Sequence, residues 1–92
     1  MASLAKGARK LLKTYQHLLK VQNIKNRNLF NKKILTNYSN LKLETNYSDS
    51  ALRKFNLALE KYGYIKRNLK DCYTEEGEIS RNKLEVEIYQ IN

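Results

Sequence analysis

The chain has 92 residues, a formal net charge of +9 at pH 7, 41% apolar residues and a mean hydropathy of −0.72. This length allows one small domain with little core to spare, and the apolar content argues against outright disorder. A lone cysteine excludes a disulfide framework, one cysteine and one histidine cannot make a four-ligand zinc site unaided, and no apolar run approaches the ~20 residues that span a bilayer.

The charge is uneven. Residues 1–43 hold ten Lys/Arg and no acid, whereas residues 44–92 hold eight bases and nine acids. A cation confined to one half suggests RNA, an anionic membrane surface or an acidic protein as partner. A lysine-rich solvated surface without a partner is the plainer account.

In the first segment the apolar positions Leu4, Ala8, Leu11, Tyr15 and Leu18 lead on to Gln22, with Leu12 and Leu19 beside them. Their steps of four and three predict an amphipathic helix buried along one side. Lys6, Arg9, Lys10, Lys13, His17 and Lys20 form its other face. Being basic and acid-free, this segment also has the character of a mitochondrial targeting helix. Gln22 to Asn28 reads as a turn. A second helix is expected from about Arg27 to Leu41, on the seam Phe30, Ile34, Tyr38 and Leu41. Ser48-Asp49-Ser50 is an N-cap cluster. The third helix follows with Leu52, Phe55, Leu59, Tyr62, Ile65, Leu69 and Cys72 as its seam and Gly63 inside it. That glycine indicates either a slightly weakened helix or the close approach of a neighbouring element.

Glu75-Glu76-Gly77-Glu78 ends the helical pattern, and Leu84, Val86 and Ile88 then alternate with Glu85, Glu87 and Tyr89 as a strand would. A single strand beside three helices has nothing to pair with, so an extended tail is expected, or an edge added to a partner's sheet. The reading is therefore all-α: an antiparallel three-helix bundle over residues 1–74, followed by an extended, strand-like acidic tail over 75–92.

Catalytic signatures are missing. Only Gly7, Gly63 and Gly77 occur, with no phosphate-binding glycine loop. His17 and Cys72 have no orienting motif and read as an exposed residue on a basic face and a small core residue. Tyr15, Tyr38 and Tyr62 fall on helical seams, where packing explains them better than base stacking.

The order of segments resembles the LYR-motif family of small mitochondrial three-helix proteins, and within it the members that accompany the mitochondrial cysteine desulfurase. The motif is matched by Thr14-Tyr15-Gln16-His17-Leu18-Leu19-Lys20, in which only Tyr15 of the triplet is kept. Arg27, Lys32-Lys33-Ile34, Tyr38-Ser39, Tyr62-Gly63-Tyr64-Ile65-Lys66-Arg67-Asn68 and Lys83-Leu84-Glu85-Val86-Glu87 follow at similar intervals. Thr14, Gln16 and Ser39 depart from the family's leucine and two arginines.

The resemblance implies a non-catalytic accessory subunit of iron–sulfur cluster assembly in the mitochondrial matrix. It would bind acylated acyl carrier protein and stabilise the desulfurase. Lys6, Arg9, Lys10, Lys13 and Lys42 would then dock the acidic carrier. Leu12, Tyr15, Gln16, Leu19, Ile34 and Tyr38 would line the path of the 4'-phosphopantetheine-linked acyl chain into the bundle. Gly63, Ile65 and Arg67 would mark the desulfurase interface, with the pyridoxal phosphate on that enzyme. The alternatives are another LYR protein, acting as subunit or assembly factor of a respiratory complex, and a basic RNA-binding or mitochondrial ribosomal protein. On this resemblance nucleic acid is the less favoured partner.

Overall fold

A computed structural model describes residues 4–73 and 79–89, with residues 69–73 and 79–83 described by their backbone alone. Helix α1 (Lys6–Asn26) follows the expected stripe, burying Ala8, Leu11, Leu12, Tyr15, Leu19 and Asn23. It runs on through the expected turn at Gln22 and stops at Arg27, whose φ of 54° is left-handed. There the amides of Arg27 and Asn28 return to the carbonyls of Ile24 and Asn23, closing the helix end.

The second expected helix does not form. Asparagine side chains capture the backbone of this segment instead: Asn28 Oδ1 accepts from the amide of Phe30 and Asn31 Oδ1 from that of Lys33, while Asn31 Nδ2 and Gln22 Nε2 both donate to the Lys33 carbonyl. Such local bonds offer the chain an alternative to helix. The chain then extends as β1 (Lys33–Thr36), in which Ile34 and Thr36 are buried and Lys33 and Leu35 exposed. Phe30, placed on the expected seam, is 93% exposed.

Helix α2 (Tyr38–Thr45) starts where the Asn37 side chain accepts from the amide of Asn40 and ends at Asn46, φ 60°. Helix α3 (Asp49–Lys61) starts where Ser48 Oγ accepts from the amide of Ala51, so the N-cap read from the sequence is present. It is much shorter than the seam to Cys72 suggested. Gly63 adopts φ 77°, and the amides of Gly63 and Tyr64 return to the carbonyls of Glu60 and Leu59. Only glycine takes this conformation freely. A Cβ there would meet nothing within 4 Å, so only the backbone resists substitution. Gly63→Ala is expected to destabilise the domain by about 1 kcal/mol. Thermal denaturation should register this as a fall of roughly 4–8 °C in Tm.

Beyond Gly63 the chain becomes β2 (Ile65–Tyr73), and after the intervening residues β3 (Ile79–Ile88). The three strands form an antiparallel sheet in the order β1-β3-β2. The all-α reading is therefore corrected to α+β, with three helices on one face of a three-stranded sheet. The alternation at Leu84, Val86 and Ile88 is that of the central strand, not of a tail: Val86 pairs with Ile34 on one side and Arg67 on the other. Residues 74–78, where the sequence places the end of the third helix, lie outside the described residues.

The inner sheet face contributes Ile34, Ile65, Leu84, Val86 and Ile88 to a core completed by α1, Leu41 of α2, and Leu52 and Leu59 of α3. On the outer face the register sets Glu87 between Lys33 and Lys66, an opposite-charge sequence that suits a solvated sheet. Two polar side chains meet in the middle of the core, where the hydroxyl of Tyr15 donates to Asn56 Oδ1 at 2.5 Å. Burial raises the Tyr15 phenol well above its ordinary value near 10.0, and the bond to Asn56 offsets this in part.

The sign of the linkage follows. An unfolded Tyr15 loses its proton near pH 10 while the folded one keeps it, so this residue's stabilisation is complete below that pH and declines as pH rises beyond it. Urea denaturation between pH 8 and 11 should show stability falling on the alkaline limb. The fall should be smaller in Tyr15→Phe.

Candidate nucleic-acid interface

Helices α2 and α3 are joined by three residues, Asn46, Tyr47 and Ser48. Asn46 supplies the left-handed turn and Ser48 the cap of the second helix. A three-residue turn between two helices is the length used in helix-turn-helix units and in helical hairpins. Along α3, Leu52, Asn56 and Leu59 are buried, whereas Ser50, Arg53, Lys54, Leu57 and Lys61 are exposed. At 3.6 residues per turn those five share one side of the helix.

Polar contacts to three different elements fix which side of α3 faces out. Lys42 Nζ of α2 lies 3.0 Å from Asp49 Oδ1 at the start of the helix. Tyr15 of α1 holds Asn56 near its middle. Arg67 of β2 donates through Nε to Glu60 Oε1 at 2.6 Å, forms an ion pair with the same carboxylate, and donates through Nη1 to the Tyr38 hydroxyl at 3.2 Å. Both acids of α3 are thereby engaged with cations of other elements. The exposed surface of α3 carries Arg53, Lys54 and Lys61, and the exposed Asp49 one turn before Arg53 is paired with Lys42.

A second basic surface adjoins the turn. Lys6, Gly7, Arg9, Lys10 and Lys13 of α1 line an open cleft of about 720 Å3 together with Tyr47. Lys10 Nζ donates to the Thr45 carbonyl at 3.2 Å and lies 5.1 Å from the centre of the Tyr47 ring. The Tyr47 hydroxyl reaches the Gly7 carbonyl at 3.4 Å, and its ring packs on Phe55 with centroids 5.1 Å apart. Gly7 permits this approach, since a Cβ there would stand 2.3 Å from Phe55 Cζ.

The residues nominated from the sequence are distributed as follows. Lys6, Arg9, Lys10 and Lys13 stand together around the cleft, whereas Lys42 belongs to the α2–α3 ion pair. Leu12, Tyr15, Leu19 and Ile34 are core residues, and Gln16 and Tyr38 are half-buried. Gly63 is a helix-ending turn, Ile65 is buried under the sheet, and Arg67 is turned inward to Glu60 and Tyr38. The three-helix bundle through which an acyl chain was expected to thread is replaced by helices packed on a sheet, to whose core Leu12, Tyr15, Leu19 and Ile34 belong. Sequence reasoning missed Ser50, Arg53, Lys54, Leu57 and Lys61. Their signal was a capped helix that ends at Gly63 with a charged face opposite Leu52, Asn56 and Leu59, hidden by treating α3 and β2 as one helix.

No known protein family, curated protein or solved structure matches the chain. No helix among the described residues is long and apolar enough to cross a membrane.

Proposed function

We propose that the chain is a duplex-DNA-binding domain of the winged helix-turn-helix kind, with α3 as the helix that enters the major groove. The observation that carries this reading is the exposed cationic face of α3, whose two acids are each paired with a cation of another element, on the second of two helices joined by a three-residue turn. The element order helix-strand-helix-helix-strand-strand, closed by a β2–β3 hairpin, supports it.

The dimensions and the chemistry agree. A helix with its side chains is about 10–12 Å across, and the B-form major groove is about 12 Å wide. The A-form groove of duplex RNA is too deep and narrow for side chains to read. On α3, Arg53 has the planar fork that pairs with guanine, and Lys54 and Lys61 are point charges for guanine edges or phosphates. Leu57, 61% exposed among these charges, offers the apolar contact that a thymine methyl accepts. The acyl-carrier reading rested on a bundle interior that the sheet replaces, so the cations of α1 are better assigned to nucleic-acid phosphates.

The test is fluorescence anisotropy of the full chain on a 20-base-pair mixed-sequence DNA duplex over a salt series, with single-stranded RNA and holo acyl carrier protein as parallel probes. Duplex binding should weaken steeply with salt, with log K falling by about 0.9 per phosphate contact for each tenfold increase in salt. Selection from a random duplex pool should enrich a short motif. Failure to bind duplex at low salt, or preferential capture of the RNA or the carrier protein, overturns the reading.

A further inference from the structure

We infer that the cleft between α1 and the α2–α3 turn is a phosphate clamp, which holds the DNA backbone beside the groove that α3 reads. This rests on the DNA-binding reading and assigns it a second contact region.

The cleft has the chemistry of such a clamp. Lys6, Arg9, Lys10 and Lys13 surround it, and no carboxylate lines it among the described residues. Lys10 is held in place by the Thr45 carbonyl and the Tyr47 ring, whereas Lys6, Arg9 and Lys13 make no ion pair among the described residues. A fixed cation flanked by free ones suits a row of phosphates better than a single anion, because each ammonium or guanidinium neutralises a separate charge.

Position supports the same occupant. The cleft begins at Tyr47 in the turn that leads into α3, and Gly7 and Phe55 lock the two helices together there. The cleft thus adjoins the N-terminal end of α3.

The experiment compares three full-length variants with the parent chain on the same mixed duplex. Lys6→Gln/Arg9→Gln/Lys13→Gln empties the cleft of its free charges and spares Lys10. Lys20→Gln/Lys25→Gln/Lys32→Gln removes as many exposed charges elsewhere. Arg53→Ala/Lys54→Ala alters the α3 face. The cleft variant should lower the magnitude of the salt slope by about 2–3 and weaken binding on the order of tenfold near 0.1 M salt. It should do so equally for mixed and selected sequences and leave Tm unchanged. The matched-charge control should keep the parent slope.

A cleft variant indistinguishable from that control overturns the clamp. If the α3 variant still loses affinity in that case, the DNA-binding reading stands without it. A parent chain that shows no salt-dependent duplex binding overturns both.

Discussion

Tyr15→Ala should unfold the domain or lower its Tm by at least about 15 °C, the largest stability loss expected from any single side chain here. Tyr15 is the largest fully buried side chain and packs in the core of helices and sheet. Truncating a buried aromatic costs roughly 3–5 kcal/mol through lost contacts and the cavity left behind. The change also removes the hydrogen bond to Asn56, whose Nδ2 is already buried without a partner, so the whole carboxamide would be stranded. An unsatisfied buried group adds about 1–3 kcal/mol. A domain of this size has only a few kcal/mol in total, so the losses approach its whole stability.

Tyr15→Phe separates the two parts: it keeps the ring, loses the bond, and should cost only the second amount. Circular-dichroism melts of both variants provide the check. A neutral Tyr15→Phe would show that the Tyr15–Asn56 bond contributes nothing to holding α1 against α3.

Arg53→Ala/Lys54→Ala should remove most sequence preference and weaken binding to a selected duplex by a hundredfold or more. A well-placed contact to a base edge contributes about 1–3 kcal/mol, and two are lost. Both residues are exposed on α3, so the fold should be unaffected and the melt unchanged. Competition between the selected duplex and a scrambled one measures the effect. If the double variant retains its preference, α3 does not read the sequence. Preference lost with fold and non-specific affinity retained would place base recognition on α3 and leave the phosphate contacts to other residues.

The first variant removes the α1 partner of the buried side of α3 and the second alters the exposed side of α3. Asn56 toward Tyr15, Glu60 toward Arg67 and Asp49 toward Lys42 each engage a polar side chain of α3, leaving Arg53, Lys54, Leu57 and Lys61 outward. Asn56 looks out of place in a buried stripe until its partner is known, and that partner lies 41 residues away in the chain. The Arg67–Glu60 pair has a similar logic. In one continuous helix a separation of seven residues spans two turns, whereas here Gly63 folds β2 back so that the two side chains meet.

Several features could be read from residue order. The stripe of α1, the Ser48 cap and the alternation of Leu84, Val86 and Ile88 are local patterns, set by one period or one hydrogen bond within a few residues. The concentration of positive charge in the first 43 residues is likewise a property of the sequence alone. What composition and periodicity could not supply were β1 and β2. Four residues at Lys33–Thr36 and the run after Gly63 both fit a helical seam by spacing. They become strands because β3, remote in sequence, supplies the backbone partners that make the extended form stable. With those pairings in place the last segment becomes the centre of a sheet and the third helix shortens. The cations of α1 then stand beside a turn that leads into an exposed basic helix. Strand pairing joins distant residues, so its consequences appear only when the chain is folded.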